Sequence, residues 1–341
     1  MTIVRKAEDD YMEEAKEIFL QGGLVAFPTE TVYGLGADAM NAAACGKIYE
    51  AKGRPSDNPL IVHIAERDQL DLLTASVSPL AERLMEVFWP GPLTIIFRKR
   101  PEVPDAVTGG RDTVAVRMPS HPEARKLLAG CGVPVAAPSA NLSGRPSPTC
   151  AVHVLDDLQG RVDMIIDGGP VDIGIESTIV DVTSGELKIL RPGHITKDML
   201  EAVVGTAEHK NTWKEEEGPP APGMKYRHYA PKGTLILLSG PLERRIAYIQ
   251  KQMQSGLHVP VAILTTDEYV EYLQDIFPGV SVLSYGSGAV DEAAKRLYRL
   301  LRECDDLDIK VIYSKVFERS GKGYAVMNRL EKAAACRIVE V

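Results

Sequence analysis

The chain has 341 residues, with 39 Lys+Arg against 47 Asp+Glu for a formal net charge of −8, 45% hydrophobic residues and 25% charged ones. That balance is ordinary for a packed globular protein and excludes disordered and collagen-like chains, while the length exceeds the usual single core of roughly 100–200 residues and predicts two domains. Apolar runs such as Leu24–Phe27 and Leu235–Leu238 fall far short of the roughly 18–20 residues that span a bilayer, so a soluble, cytoplasmic protein with no membrane partner is expected. The closest pair among Cys45, Cys131, Cys150, Cys304 and Cys336 lies 19 positions apart; neither a CxxC metal clamp nor a dense disulfide framework is available, and the thiols read as scattered core residues. An acidic chain with two Trp, twelve Tyr and six Phe also lacks the basic excess that phosphate-backbone binding needs, so nucleic acid could be held directly only in a local basic cavity.

In chain order, Tyr11, Ala15, Ile18 and Phe19 recur at helical spacing, and Gly22-Gly23 stops that helix before strand-like Leu24–Phe27. Further strands are predicted at Leu60–Ile64, Leu93–Phe97, Thr113–Arg117, Val133–Ala137, Met164–Asp167, Thr178–Val182 and Leu187–Leu190. Helices are predicted at Asn41–Lys52, Pro79–Phe88, Pro122–Ala129 and Thr149–Leu158. The mixture predicts an α/β fold built on a large mixed sheet. Its connecting loops, Pro28-Thr29-Glu30, Gly53-Arg54-Pro55, Pro90-Gly91-Pro92, Ala137-Pro138-Ser139 and Gly168-Gly169-Pro170, combine backbone-fixing residues with polar ones, as a preorganised site would.

Periodicity disappears between about Gly205 and Pro231, where Trp213 to Met224 is rich in charge, Pro and Gly. A structureless stretch of that size marks a boundary. The expected division is a first domain over 1–205, a linker over 206–231 and a small Rossmann-like parallel α/β domain over 232–341. In the last, strand-like Thr234–Leu238, Val261–Leu264, Val280–Ser284 and Lys310–Tyr313 alternate with helical Leu242–Gln254, Asp267–Asp275, Val290–Glu303 and Gly323–Ala335.

Three blocks could carry chemistry. Pro28 to Gly36 offers threonine hydroxyls beside glycines, suited to a small ligand or simply to a hydrogen-bonded turn. Lys52-Gly53-Arg54-Pro55, at a predicted helix end, could grip phosphate oxygens, each charged contact contributing roughly 1.5–3 kcal/mol, or could just complement the helix dipole. His63, inside Leu60–Ile64, reads more readily as a buried, hydrogen-bonded core histidine than as a ligand contact. Ser139 and Asn141 follow the strand Val133–Ala137 outside any G-x-S-x-G elbow, which favours ligand binding over an acyl-enzyme nucleophile. Arg117, Arg145, Arg191 and Glu176-Ser177-Thr178 add polar points, so that an acidic protein gathers five cations, Lys52 and Arg54 included, in strand-end loops. There is no G-x-x-x-x-G-K-[ST] loop, Gly286-Ser287-Gly288 lacks the third glycine of a dinucleotide fingerprint, and no H-x-x-x-H pair supports a protein-held metal.

Taken together, Pro28–Gly36, Lys52–Pro59, Phe88–Pro92, Val114–Pro119, Ala137–Pro148, Asp167–Asp181 and Leu190–Gly193 resemble the threonylcarbamoyl-AMP synthases, the YrdC-like family, over roughly residues 10–200. The tail from Tyr226 to Pro231 and the following α/β unit resemble the family's two-domain members. The resemblance implies a nucleotidyltransferase that joins L-threonine, bicarbonate or CO₂, and ATP into threonylcarbamoyl-AMP for tRNA threonylcarbamoyladenosine, with Mg²⁺ arriving on ATP and no covalent enzyme intermediate. It implies catalytic Lys52, Arg54, Ser139 and Asn141; ATP contacts at Arg54, Asn58, Thr113, Ser139, Ser147 and Arg191; and L-threonine contacts at Thr31, His63, Arg117, Ala137 and Ser177. Tyr226, Arg227, His228 and Tyr229 become a candidate lid. A downstream tRNA threonylcarbamoyl transferase is the implied partner, and direct tRNA binding is not expected. Two rivals are weaker: a carbamoyltransferase would bring CxxC zinc ribbons, and a double-stranded RNA regulator would be basic.

Overall fold

The computed structural model describes residues 1–209, 228–256 and 259–341. Described residues up to Ser143 and from Ser147 to His209 form one compact unit; Gly144–Pro146 belong with those from His228 onward in a second.

The first unit opens with β1 (Ile3–Lys6), α1 (Met12–Leu20), β2 (Val25–Phe27), β3 (Gly34–Asp38), α2 (Ala42–Lys52), β4 (Ile61–His63) and α3 (Pro79–Phe88). It continues with β5 (Leu93–Arg98), α4 (Asp105–Thr108), β6 (Thr113–Arg117), α5 (Pro122–Cys131), β7 (Val135–Ala136) and α6 (Ala151–Leu158). It closes with β8 (Met164–Asp167), β9 (Thr178–Asp181), β10 (Lys188–Arg191), α7 (Lys197–Val204) and β11 (Glu208–His209). Local chemistry sets several boundaries. Asn41 caps α2 by accepting from the amides of Ala43 and Ala44, and Gly53 ends it in the left-handed region at φ 61°, a conformation that costs glycine nothing.

These strands form one mixed sheet in the order β1-β8-β2-β3-β7-β4-β6-β5-β9-β10-β11. Side chains alternate across a strand, so the registers decide what each face holds. Val62 pairs with Ala136, Val116 with Ile95, and Ile95 with Val180; these enter the large core under α2, α3 and α6, with Ile48, Leu84 and Val154. On the other face Val25, Phe27, Val135 and Ile166 pack beneath α1 and α5, against Phe19 and Leu127. The rest of that face differs. Ile61, Ile96, Ala115, Ile179 and Leu190 form a separate cluster in which every member is a strand residue, and the polar residues described below alternate with it.

Sequence patterning missed β1, β3, α4, α7 and β11. Gly34-Leu35-Gly36-Ala37-Asp38 has poor strand propensity; antiparallel pairing on both sides, to β2 and β7, makes it a strand.

The second unit contains β12 (Thr234–Ser239), α8 (Leu242–Gln254), β13 (Val261–Thr265), α9 (Val270–Ile276), β14 (Ser281–Ser284), α10 (Val290–Asp306), β15 (Val311–Lys315), α11 (Gly321–Ala333) and β16 (Ile338–Glu340). Its sheet runs β14-β13-β15-β12-β16, with every ladder parallel, which is the smaller parallel α/β architecture the alternation predicts. Arg145 sits here, 3.6 Å from Asp305 Oδ2, while Asp305 Oδ1 accepts from the Lys232 amide at 2.6 Å. Arg145, which the sequence reading counted among the strand-end cations, groups with the second unit. Among the described residues, no helix is long and apolar enough to cross a membrane.

Gly193 is fixed by its surroundings: a Cβ there would stand 2.4 Å from the Thr178 amide nitrogen and 2.7 Å from the Glu176 carbonyl oxygen. Backbone cannot give way as a side-chain tip does. Gly193→Ala is expected to destabilise the protein by about 1–3 kcal/mol, read as a lower urea midpoint at unchanged m-value.

Candidate active site

Four local constructions supply the polar residues. At the end of β6, Arg117 is only 3% exposed. Its Nη1 donates to Thr31 Oγ1 at 2.8 Å and its Nε to the Gly91 carbonyl at 3.3 Å, while Nη2 stands 2.6 Å from Glu30 Oε1. Thr31 and Glu30 lie in the loop between β2 and β3, which Thr29 braces by donating to the Val32 carbonyl at 2.6 Å. Burial alone would raise the pKa of Glu30, yet the adjacent guanidinium outweighs it and holds the carboxyl below the usual range.

His63 is paired with Arg117 in the β4–β6 ladder. Its Nδ1 lies 3.1 Å from the Ile61 carbonyl and its ring meets Phe27 edge-on at 6.1 Å. Burial, reinforced by the Arg117 charge, lowers its pKa to about 3. The ring is therefore neutral at physiological pH: it can donate and accept, but it contributes no positive charge.

Beyond Arg117 the ladder reaches Thr94, whose hydroxyl is 2.8 Å from Ser177 Oγ. Arg191 donates to the Ser177 carbonyl and to Ser177 Oγ, both at 3.1 Å. A register shift between Ile189 and Arg191 sets Arg191 opposite Ile179. An unbulged ladder would have put Leu190 there and turned Arg191 to the other face, because a one-residue slip reverses side-chain direction. The bulge thus delivers Arg191 to the face that carries Ser177, Thr94 and Arg117. Ser147 Oγ donates to Glu176 Oε1 at 2.6 Å, next to Ser177 in sequence.

The fourth construction is a staple. Lys52, 2% exposed, donates from Nζ to the carbonyls of Ser139 and Asn141, each at 2.5 Å. Ser139 Oγ donates to Asn141 Oδ1 at 2.6 Å, and Ser139 bridges to Gly34 beside the β2–β3 loop. The Lys52 ammonium thereby fixes the path of the loop after β7. Ala137, in that loop, donates its amide to the Ile61 carbonyl at 2.8 Å. Arg54 folds over its own turn, donating to the carbonyls of Asn58 at 3.2 Å and Pro59 at 3.0 Å. Asn58 Oδ1 is buried without a hydrogen-bond partner. Thr113 lies four residues before Arg117 on the same strand face, about 13 Å away at strand spacing.

Contacts and ladders therefore connect Thr31 and His63 directly to Arg117, with Ser177 joined through Thr94, Ala137 through Ile61, Arg191 through Ser177, and Lys52, Ser139 and Asn141 through Gly34. Tyr226 and Arg227 lie outside the described residues. His228 and Tyr229 pack within the second unit, where Tyr229 adopts φ 65° and stacks on Tyr298 at 5.3 Å. The sequence reading named Glu30 and Glu176 only as members of polar loops, not as the counter-ion of Arg117 and the acceptor for Ser147, and it did not single out Thr94, the link to Ser177. The available signals were a carboxylate inside a motif loop and a lone threonine within the apolar run of β5. Among the described residues, no three His, Cys, Asp or Glu approach closely enough to hold a metal ion. Cys45, Cys131 and Cys304 are buried thiols whose pKa burial raises to about 12, so they are not poised as nucleophiles.

A stretch of sheet face whose apolar cluster, among the described residues, is made of strand residues alone and which carries buried cations, a neutral imidazole and hydroxyls is equipped to position small polar substrates. Comparison with known proteins narrows that class. Residues 17–193 match the Sua5/YciO/YrdC family, described as telomere recombination, and residues 195–335 match the threonylcarbamoyl-AMP synthase C-terminal domain. A threonylcarbamoyl-AMP synthase of Bacillus subtilis is 47% identical, covering 97% of this chain and 95% of its own. That of Pyrococcus abyssi is 44% identical over 100% of both chains. The crystal structure of P. abyssi Sua5 complexed with L-threonine superposes with a TM-score of 0.91 at 42% identity, covering 100% of this chain and 99% of that one. The chain belongs to the threonylcarbamoyl-AMP synthase family and is an enzyme of the nucleotidyltransferase type.

The neutrality of His63 has a pH signature. Unfolded imidazole binds a proton below about pH 6.5, whereas the native ring resists protonation far below that, so the unfolded state binds more protons as the pH falls. The contribution of a neutral His63 to stability is complete above pH 6.5 and is lost progressively on acidification. Between pH 6.5 and 5, above the titration range of Glu30, the wild type should lose more unfolding free energy than His63→Asn; parallel curves in urea titrations would refute the assignment.

Proposed function

We propose that the protein condenses L-threonine, bicarbonate or CO₂, and ATP into threonylcarbamoyl-AMP, releasing pyrophosphate and, when bicarbonate is the carbon source, water, and that the product serves tRNA threonylcarbamoyladenosine formation through a downstream transferase. The observation that carries this reading is the buried Arg117–Glu30 pair among Thr31, His63 and Ser177, supported by the family and by the threonine complex of the P. abyssi relative.

An amino acid is a zwitterion, and this pair is its complement. Arg117 offers a planar fork to the threonine carboxylate, while ionised Glu30 accepts from the ammonium until the amine loses its proton. Arg117 already holds Gly91, Thr31 and, as an ion pair, Glu30, while its Nη2 and both Glu30 oxygens are buried without a hydrogen bond of good geometry, so a zwitterion that satisfies them is favoured over a ligand that leaves them unpaired. Thr31, neutral His63, Ala137 and Ser177 orient the side chain and amine. The amine takes up CO₂ or bicarbonate to give a carbamate, whose carboxylate attacks the α-phosphorus of ATP in line and expels pyrophosphate.

No enzyme nucleophile is needed in that sequence. The obstacle is bringing two anions together, and fixed cations answer it. Arg191, held by Ser177 beside the threonine site, faces the reacting phosphate; Arg54, with Asn58, Thr113, Ser139 and Ser147, holds the nucleotide. Lys52 contributes charge and position from behind Ser139 and Asn141. Mg²⁺ bound to the triphosphate would offset part of its charge.

The test is pyrophosphate release with threonine, bicarbonate and ATP omitted in turn: each omission should abolish it. Serine should compete with a penalty of about 1–3 kcal/mol in kcat/KM, the value of one methyl group. Arg117→Lys, which keeps the charge but loses the fork, should raise the KM for threonine by about 10–100-fold with a smaller change for ATP. Arg54→Ala should do the reverse. Release that is independent of threonine would overturn the reading.

A further inference from the structure

Condensation begins with a proton that has to leave. Threonine in solution is mostly its ammonium form, and nitrogen attacks carbon only with its lone pair free, so the site must either hold a proton acceptor or wait for the scarce free amine. Acceptors are few. The His63 ring, beside Arg117 in the ladder, resists protonation down to about pH 3, and the Thr31 hydroxyl already receives from Arg117. The carboxylate in direct contact with Arg117 is Glu30, whose Oε1 stands 2.6 Å from Nη2.

Glu30 is held as a base should be. Its side chain is buried and its backbone is pinned: the Glu30 carbonyl accepts from the Ile173 amide at 2.9 Å, and the Thr31 carbonyl from the Gly174 amide at 3.1 Å. Both carboxylate oxygens are buried without a hydrogen bond, which leaves lone pairs for an incoming N–H. The two charged groups of an amino acid share one carbon. A carboxylate drawn onto Arg117 therefore carries its ammonium to the guanidinium's own counter-ion, where a base has to stand.

Substrate also changes the strength of that base. Burial is the largest influence on the Glu30 carboxyl and favours its protonated form; the Arg117 charge, helped by the Ser120 amide, outweighs it. A substrate carboxylate on Arg117 takes a share of that charge and sets a second anion beside Glu30, and both changes raise the proton affinity of Glu30. The base is weak before threonine arrives and stronger once threonine is seated.

We propose that Glu30 is the catalytic base of this reaction, removing one proton from the threonine ammonium while the threonine carboxylate occupies the Arg117 fork. The assignment rests on the threonine-condensing function and adds a residue to it. In the step an N–H bond breaks, its electron pair stays on nitrogen, and an O–H bond forms on Glu30. The freed pair then makes the N–C bond. From bicarbonate, hydroxide leaves with the second N–H proton as water; from CO₂, a C–O π pair moves onto oxygen and that proton passes to water. When product departs, the full Arg117 charge faces Glu30 again and the carboxyl returns its proton to solvent.

The pH dependence of threonine-dependent pyrophosphate release tests this, with MgATP, CO₂ and bicarbonate all kept saturating. The charged and titratable groups around Glu30 are Arg117 on β6, His63 on β4 and His121 just before α5, with Asp172 acting on His121. Burial lowers the pKa of both imidazoles, so neither changes charge between pH 7 and 8.5. Over that range kcat/KM for threonine should be flat in the wild type and in Glu30→Asp, which keeps a carboxylate. Glu30→Gln should lose about 10²–10⁴-fold at pH 7 and recover about tenfold per pH unit, as free amine replaces the missing base. A purely structural role would lower the rate by one factor at every pH. A wild-type profile that itself climbs about tenfold per unit, or a Glu30→Gln deficit equal at pH 7 and 8.5, would overturn the proposal. Should Glu30→Gln fail to fold, the wild-type profile alone decides. Wild-type release that ignores threonine would instead sink the underlying function.

Discussion

A guanidinium withdrawn almost wholly from water at the end of a central strand has to be neutralised, and the arrangement of the first unit follows from how Arg117 meets that requirement. Its desolvation is offset by Glu30 at 2.6 Å and by the oxygens of Thr31 and Gly91. Because Glu30 and Thr31 sit in the short connection between β2 and β3, the ion pair draws that loop onto the sheet face that carries His63 and Thr94. The same charge holds Glu30 ionised and helps to keep His63 neutral. One buried cation thus places a loop and sets two protonation states, and these define what the site can recognise.

Around that pair the sheet divides its labour. One face is covered by helices along most of its width and supplies the large core; the other is covered by α1 and α5 only over the strands near β2 and β8. Over β4, β6, β5, β9 and β10 the same face presents five apolar strand residues with Thr94, Arg117 and Arg191 among them. A rigid apolar floor fixes the spacing of the polar groups and lowers the local dielectric, which strengthens each charged contact made there. Lys52 shows a different use of charge. Buried against two carbonyls, it holds the loop that carries Ser139 and Asn141, so its loss would first disturb geometry and only then electrostatics.

The second unit obeys simpler rules. Its parallel ladders bury Leu237, Ala262 and Ile312 almost completely, as expected when helices cover both faces. Asp305 accepts from the Lys232 amide on Oδ1, while its Oδ2 stands 3.6 Å from Arg145 without a hydrogen bond.

The amino-acid sequence by itself determined the composition class, the α/β grammar of both units, most helix limits and the motif set whose order carries the family resemblance. Asn41 and Gly53 mark the ends of α2 because capping is decided within four residues, and Thr31, Lys52, Ser139 and Arg117 stood out because their loops are chemically unusual. What only the tertiary structure decided depends on pairing between distant segments: that Gly34–Asp38 is a strand, that Glu30 opposes Arg117, that Arg145 belongs with Asp305, and that one extra residue at Leu190 turns Arg191 toward Ser177. Side-chain direction in a sheet reverses with every residue of register, and register is settled by long-range packing that local spacing does not encode.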